Sequence, residues 1–106
     1  MREEYDKLVR DRIPEIIRRS GRQCATETMS EAEYQQALRA KLVEEGEEAA
    51  QAGAQKLVTE LADLCEVFDA LLAAYRIERQ AVLAEQEKRR KERGAFEKRI
   101  RLLWME

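Results

Sequence analysis

The sequence predicts an all-α domain, and three observations point to it. Ala, Leu, Glu, Lys, Arg and Gln, the strong helix formers, dominate the chain. One proline and four glycines leave few places for a helix to break. Apolar residues recur at spacings of three and four, and almost nothing alternates apolar with polar as a half-buried strand would. At 106 residues the chain has the length of one domain, residues 1–106. So small a domain has a thin core, and pairing with a second copy is a natural way to bury more apolar surface.

Taken in order, Tyr5–Arg12 mixes apolar and charged residues without helical spacing. Pro14 suits the first turn of a helix, and Ile13 before it is biased toward an extended conformation. A short helix is expected from about Pro14 to Ser20, stopped by Gly21 in the position that favours a left-handed backbone. Residues 22–29 read as a connecting loop. Ser30-Glu31-Ala32-Glu33 is a capping box that opens a helix running to about Ala52, with Gly53 as its stop. A third helix spans about Gln55 to Tyr75, carrying Leu57, Leu61, Leu64, Cys65, Phe68, Leu71, Leu72 and Tyr75 on its apolar stripe. The short break between these two helices forces an antiparallel hairpin. A fourth, highly charged helix covers about Glu78 to Arg93 and ends at Gly94. The segment from Ala95 to Glu106 carries Phe96, Ile100, Leu102, Leu103 and Trp104, too apolar for a free tail, and is expected to dock on the body or on a partner chain.

Several function classes drop out. The N-terminus is charged throughout, with no apolar run of signal-peptide length, and no segment approaches the roughly 18–20 apolar residues that span a bilayer. A soluble, cytoplasmic protein is expected. There is no histidine, and Cys24 and Cys65 stand far apart, so Cys/His zinc sites and histidine-based triads are excluded. The setting argues against a structural disulfide. Net charge is −2 but unevenly spread: residues 2–22 carry +2, residues 27–69 carry −8, and residues 76–101 carry +5. A cation-binding centre between polyanion-binding flanks would give this pattern, and so would solvated amphipathic helices.

The informative acids are those that share a face with apolar residues. On the second helix, seven residues at about 100° each return Glu45 to within roughly 20° of Leu38. Leu42 lies on the same face, and Glu48 continues it one turn on. On the third helix Glu60 falls between Leu57 and Leu64, about 20° from Leu71, and Asp63 follows one turn along. A charge on an apolar face is costly unless it is paired or metal-bound. Each helix offers two carboxylates at i, i+3, neighbours on a helix surface, and a hairpin brings the pairs face to face. An oxygen-only ligand set with room for water and phosphate suits Mg²⁺ or Mn²⁺. A single ExxE is common in charged helices and reads as a solvated face with Lys41. Two such pairs on facing apolar stripes point the other way.

KLVEEGEEA (Lys41–Ala49), with ELADL (Glu60–Leu64) beginning twelve positions after Glu48, resembles the ExxE…ExxD signature of the MazG-like all-α NTP pyrophosphohydrolases. YDKLVRDRIPEII (Tyr5–Ile17) and ERGAFEKRI (Glu92–Ile100) are similar to the two ends of a phosphoribosyl-ATP pyrophosphohydrolase-like subgroup, so the resemblance covers nearly the whole chain. It implies a four-helix-bundle-type domain and metal ligands at Glu45, Glu48, Glu60 and Asp63. It also gives Glu44, Glu45 and Glu48 a part in catalysis, with Glu44 supporting a ligand or activating water. Glu44 and Glu47 satisfy ExxE as well, and the face argument favours Glu45 and Glu48. Glu66, one turn past Asp63, is a candidate to support the ligands or touch substrate.

The basic residues admit two readings. In one, Lys7, Arg10, Arg12, Lys91 and Arg93 contact the triphosphate, since Lys and Arg are the usual partners of phosphate oxygens. In the other, KRRKER (Lys88–Arg93) suits the negative end of a helix dipole and is otherwise solvated. Tyr5, Phe96 and Trp104 could stack on a base, although packing explains them better. The expected activity is metal-dependent hydrolysis of a nucleoside triphosphate, or a related pyrophosphorylated nucleotide, to the monophosphate and pyrophosphate, with a role in clearing unwanted nucleotides. The alternative is a non-catalytic helical scaffold or binding module in which the acids pair with the basic flanks. A nucleic-acid partner is not expected, given the acidic centre and one short basic run. A homo-oligomer, dimer or tetramer, is.

Overall fold

The computed structural model describes residues 2–106 and is all-helical among them. Its four helices are α1 (Ile13–Arg19), α2 (Glu31–Gln51), α3 (Leu57–Ala74) and α4 (Arg79–Arg93). By packing, the chain divides into two compact units, one ending at Arg76 and the other beginning at Ile77.

In the first unit, α1 starts one residue earlier than its proline suggests. The bias that Pro14 imposes on Ile13 is overcome by a turn in which the Ile13 amide donates to the Arg10 carbonyl at 3.1 Å. Its end follows from Gly21. At φ 87° this residue takes the left-handed backbone that lets its own amide reach Arg18 O and the Arg22 amide reach Ile17 O. The loop after it stays close to α1, with the Cys24 thiol 3.9 Å from the Pro14 carbonyl.

Helix α2 begins with the capping box in both directions: the Glu33 amide donates to Ser30 Oγ at 3.2 Å, and the Ser30 amide donates to the Glu33 carboxylate at 3.0 Å. At its other end the backbone turns extended at Ala52, a turn from Gly53 to Lys56 follows, and α3 returns along α2. Two contacts fix the antiparallel register. Gln35 Nε2 donates to the Ala74 carbonyl at 3.1 Å, and Arg39 Nε donates to the Tyr75 hydroxyl at 2.7 Å, with its guanidinium also 5.0 Å from the Tyr75 ring centre. The start of α2 is thereby held to the end of α3, and the acids at the end of α2 face those at the start of α3.

The core between α2 and α3 is thin. Among the described residues only Leu38 on α2 and Val67 on α3 are buried, at 3% and 9% exposure. Leu64, Phe68, Leu71, Leu72 and Tyr75 are half-buried, whereas Leu42, Leu57, Leu61 and Cys65 of the expected stripes are exposed. Leu57, Leu61 and Cys65 share their faces with Leu64, Phe68 and Leu72, each seven residues further on, so one stripe of α3 is open over its first turns and half-buried over its later ones.

In the second unit α4 ends at Gly94, whose φ of 83° again uses a conformation that L side chains rarely take. In the apolar segment beyond it Phe96 is 98% exposed and Trp104 73%. No helix among the described residues is long and apolar enough to cross a membrane.

Candidate metal centre

At the closed end of the α2–α3 hairpin, Glu45, Glu60 and Asp63 each offer a carboxylate oxygen, and these oxygens lie within 4.8 Å of one another. The helical period puts them there. Glu45 is seven residues past buried Leu38, and Glu60 is seven before buried Val67, so each acid continues the face its helix buries. Glu60 also stands in the first turn of α3, where the helix dipole favours a negative charge.

Burial holds the Glu45 carboxyl above the usual carboxylate range. The neighbouring Glu48 and Asp63 charges and a hydrogen bond with Glu48 push the same way, against the opposing pull of Lys41. Two oxygens, Glu45 Oε2 and Glu60 Oε2, are shut off from solvent with no hydrogen-bond partner. A buried carboxylate oxygen without a donor is costly, and three convergent carboxylates add mutual repulsion. A hard divalent cation removes both penalties at once, and an all-oxygen donor set is what Mg²⁺ and Mn²⁺ accept. The residues present fit such an ion.

The other residues singled out by the sequence are placed as follows. Glu48 is exposed on α2, beside Glu45 but outside the group of three convergent oxygens. Glu44 is held by Lys41 Nζ at 3.3 Å, and Glu47 and Glu66 are exposed. Arg10 reaches the centre, its Nη2 lying 2.6 Å from Asp63 Oδ1. Arg12 pairs locally with Glu15 at 3.3 Å, and Lys7 sits 6.0 Å from the Tyr5 ring centre. Lys91 and Arg93 belong to the second unit, where Lys91 pairs with Glu87 at 3.4 Å and Arg93 lines a shallow groove with Phe96. Sequence reasoning did not single out Lys41, only 18% exposed at its side chain, as a cation that moderates the cluster. Its position four residues before Glu45, one helical turn, was the available signal. The specific pairing of Arg10 with Asp63 had no local signal, because the two lie 53 residues apart.

No protein-family model matches the chain, and no solved structure does. An uncharacterized protein of Mycolicibacterium smegmatis (strain ATCC 700084 / mc(2)155) is 62% identical over 39 residues. That stretch covers 37% of this chain and 40% of the relative, so the match spans less than half of either protein. It brings no activity with it.

Proposed function

We propose that this chain is a MazG-like, magnesium-dependent nucleotide pyrophosphohydrolase that converts a nucleoside triphosphate, or a related pyrophosphorylated nucleotide, to the monophosphate and pyrophosphate. One observation carries the reading: the convergence of Glu45, Glu60 and Asp63, with two of their oxygens buried and unpartnered. An ion-pair scaffold accounts for Asp63, which Arg10 holds. It leaves Glu45 Oε2 and Glu60 Oε2 without a purpose.

In this reading Glu45, Glu60 and Asp63 hold Mg²⁺ or Mn²⁺, and Glu48, exposed beside Glu45, completes the ligand set the motif implies. When bound, the ion supplies Lewis-acid polarisation of phosphate oxygens and activation of water. The chain's own part is to fix the carboxylates on two rigid helices and to offer cations to the phosphates. Water is added across the α–β phosphoanhydride, and the bond between those phosphates breaks to leave monophosphate and pyrophosphate. Glu44, tied to Lys41 and next to Glu45, supports the ligand turn. The apolar side chains left open on α2 and α3 (Leu42, Val43, Leu57, Val58 and Leu61) are assigned to a second copy, which completes a four-helix bundle.

The test is a panel of natural and modified triphosphates with Mg²⁺, scored separately for pyrophosphate and for free phosphate. Pyrophosphate and monophosphate in equal amounts are expected, abolished by chelation and restored by Mg²⁺ or Mn²⁺. Metal-independent turnover, or release of free phosphate alone, would rule this chemistry out.

A further inference from the structure

The acidic centre already holds one cation, and that cation comes from far away in the chain. Arg10 reaches Asp63 across 53 residues. The ion pairs Arg2–Glu4, Arg12–Glu15, Arg19–Glu15 and Lys41–Glu44 in the same half of the chain all join near neighbours. The Arg10 side chain remains 58% exposed, and residues 2–10 carry no helix or strand, so its guanidinium can leave Asp63 without dismantling a regular element. Asp63 is at the same time one of the three carboxylates whose oxygens converge. A guanidinium at 2.6 Å and a divalent ion on the same carboxylate compete for its lone pairs and repel one another.

We propose that Arg10 is the built-in counter-cation of this centre: it occupies Asp63 while no metal is bound, gives way when Mg²⁺ or Mn²⁺ loads, and is then free to take a phosphate oxygen of the nucleotide. The inference rests on the reading of Glu45, Glu60 and Asp63 as metal ligands. A part-exposed ion pair is weak, so a dication displaces it readily. A planar fork released beside the centre suits a phosphate better than an ammonium does. Arg10 therefore links metal loading to nucleotide capture. A purely structural role for the pair predicts the opposite sign, because a residue that orients a ligand weakens metal binding by about 10–100-fold when removed.

Mn²⁺ binding to the full chain without nucleotide, followed by the paramagnetic signal of the free ion, separates these outcomes. Arg10→Gln should bind Mn²⁺ at least about threefold more tightly than wild type, since one competing positive charge is gone. Arg10→Lys, which keeps that charge, should stay near wild type. Arg19→Gln, which removes the same charge from the end of α1, should change affinity less than about twofold. Arg10→Gln should also raise the KM for the triphosphate by about tenfold, a shift opposite in sign to its metal affinity. Unchanged or weaker Mn²⁺ binding in Arg10→Gln, with normal binding in wild type, overturns the role of Arg10 and leaves the metal reading standing. No Mn²⁺ binding by wild type overturns both. Should Arg10→Gln fail to fold, the guanidinium nitrogen resonance of Arg10 in the wild-type chain gives the answer. Mg²⁺ should move it, and a resonance unmoved at saturating Mg²⁺ overturns the proposal.

Discussion

At Glu45 burial and charge act in the same direction, and the consequence for pH can be worked out. Its folded-state pKa is raised above the unfolded value, so the metal-free folded chain binds a proton at this position more tightly than the unfolded chain does. That contribution to stability is fully present below the ordinary glutamate range and is lost as pH rises through the raised pKa. Metal-free melting temperature should therefore fall over that window in wild type, and Glu45→Gln, which cannot ionise, should flatten this part of the profile. Identical profiles for the two would show that Glu45 is not strained. The same residue sets the register of the first acidic pair. Glu45→Gln, Glu60→Gln and Asp63→Asn should each lower pyrophosphate release by at least about a hundredfold, since ligands of one centre act as a unit. Glu47→Gln should stay within a few-fold, as its side chain is exposed on another face of α2. A dead Glu47→Gln beside an active Glu45→Gln would move the site to the other register.

Element boundaries were legible where backbone chemistry is local. The Ser30–Glu33 box, Gly21 and Gly94 could each be read directly, because capping and left-handed turns depend on one or two residues. The box supports a prediction of its own: Ser30→Ala should cost about 0.5–2 kcal/mol of stability, read as a lower melting temperature. Mn²⁺ affinity should be unchanged, because the cap lies at the opposite end of α2 from Glu45. A fall in affinity alongside the melting temperature would mean that α2 does not hold the centre as a rigid rod. The facing acids were legible too, since seven-residue spacing returns a side chain to the same face whatever surrounds it. What α3 buries was not. Its stripe suggested Leu57 and Leu61 as core, yet both are exposed and Val67 is the buried residue. Leu57 and Leu61 share their faces with half-buried Leu64 and Phe68, so periodicity finds the apolar stripe but not how far along it the covering extends. The Arg10–Asp63 pair is a product of tertiary folding, with no periodicity to announce it. The segment after Gly94 shows the same limit: its apolar composition asks for a covering surface without saying which chain provides it.

For the whole molecule, the balance of buried and open apolar surface argues for self-association. Two buried apolar side chains among the described residues make a slender core, while Leu42, Val43, Leu57, Val58 and Leu61 stay open on the paired helices. Covering a Val or Leu side chain fully is worth about 1.5–3 kcal/mol, so even partial burial of these five against a second copy matters on the scale of a small domain's stability. A monomer's melting temperature is independent of concentration, whereas an assembly linked to folding is stabilised by mass action. The wild-type chain should therefore run as a dimer or tetramer in light scattering at micromolar concentration. Its melting temperature should rise by roughly 2–4 °C for each tenfold increase in concentration. Replacing Val58 and Leu61 together by Asp puts charges on the open face and leaves Leu38, Val67 and the three convergent acids in place. That variant should shift to monomer and lose the concentration dependence, and its activity should recover, if at all, only at high protein concentration. A wild-type chain that is monomeric, with a melting temperature unmoved by dilution, would show that the open face of α2 and α3 is not an interface between copies. The thin core of one hairpin would then have to hold the three carboxylates together alone.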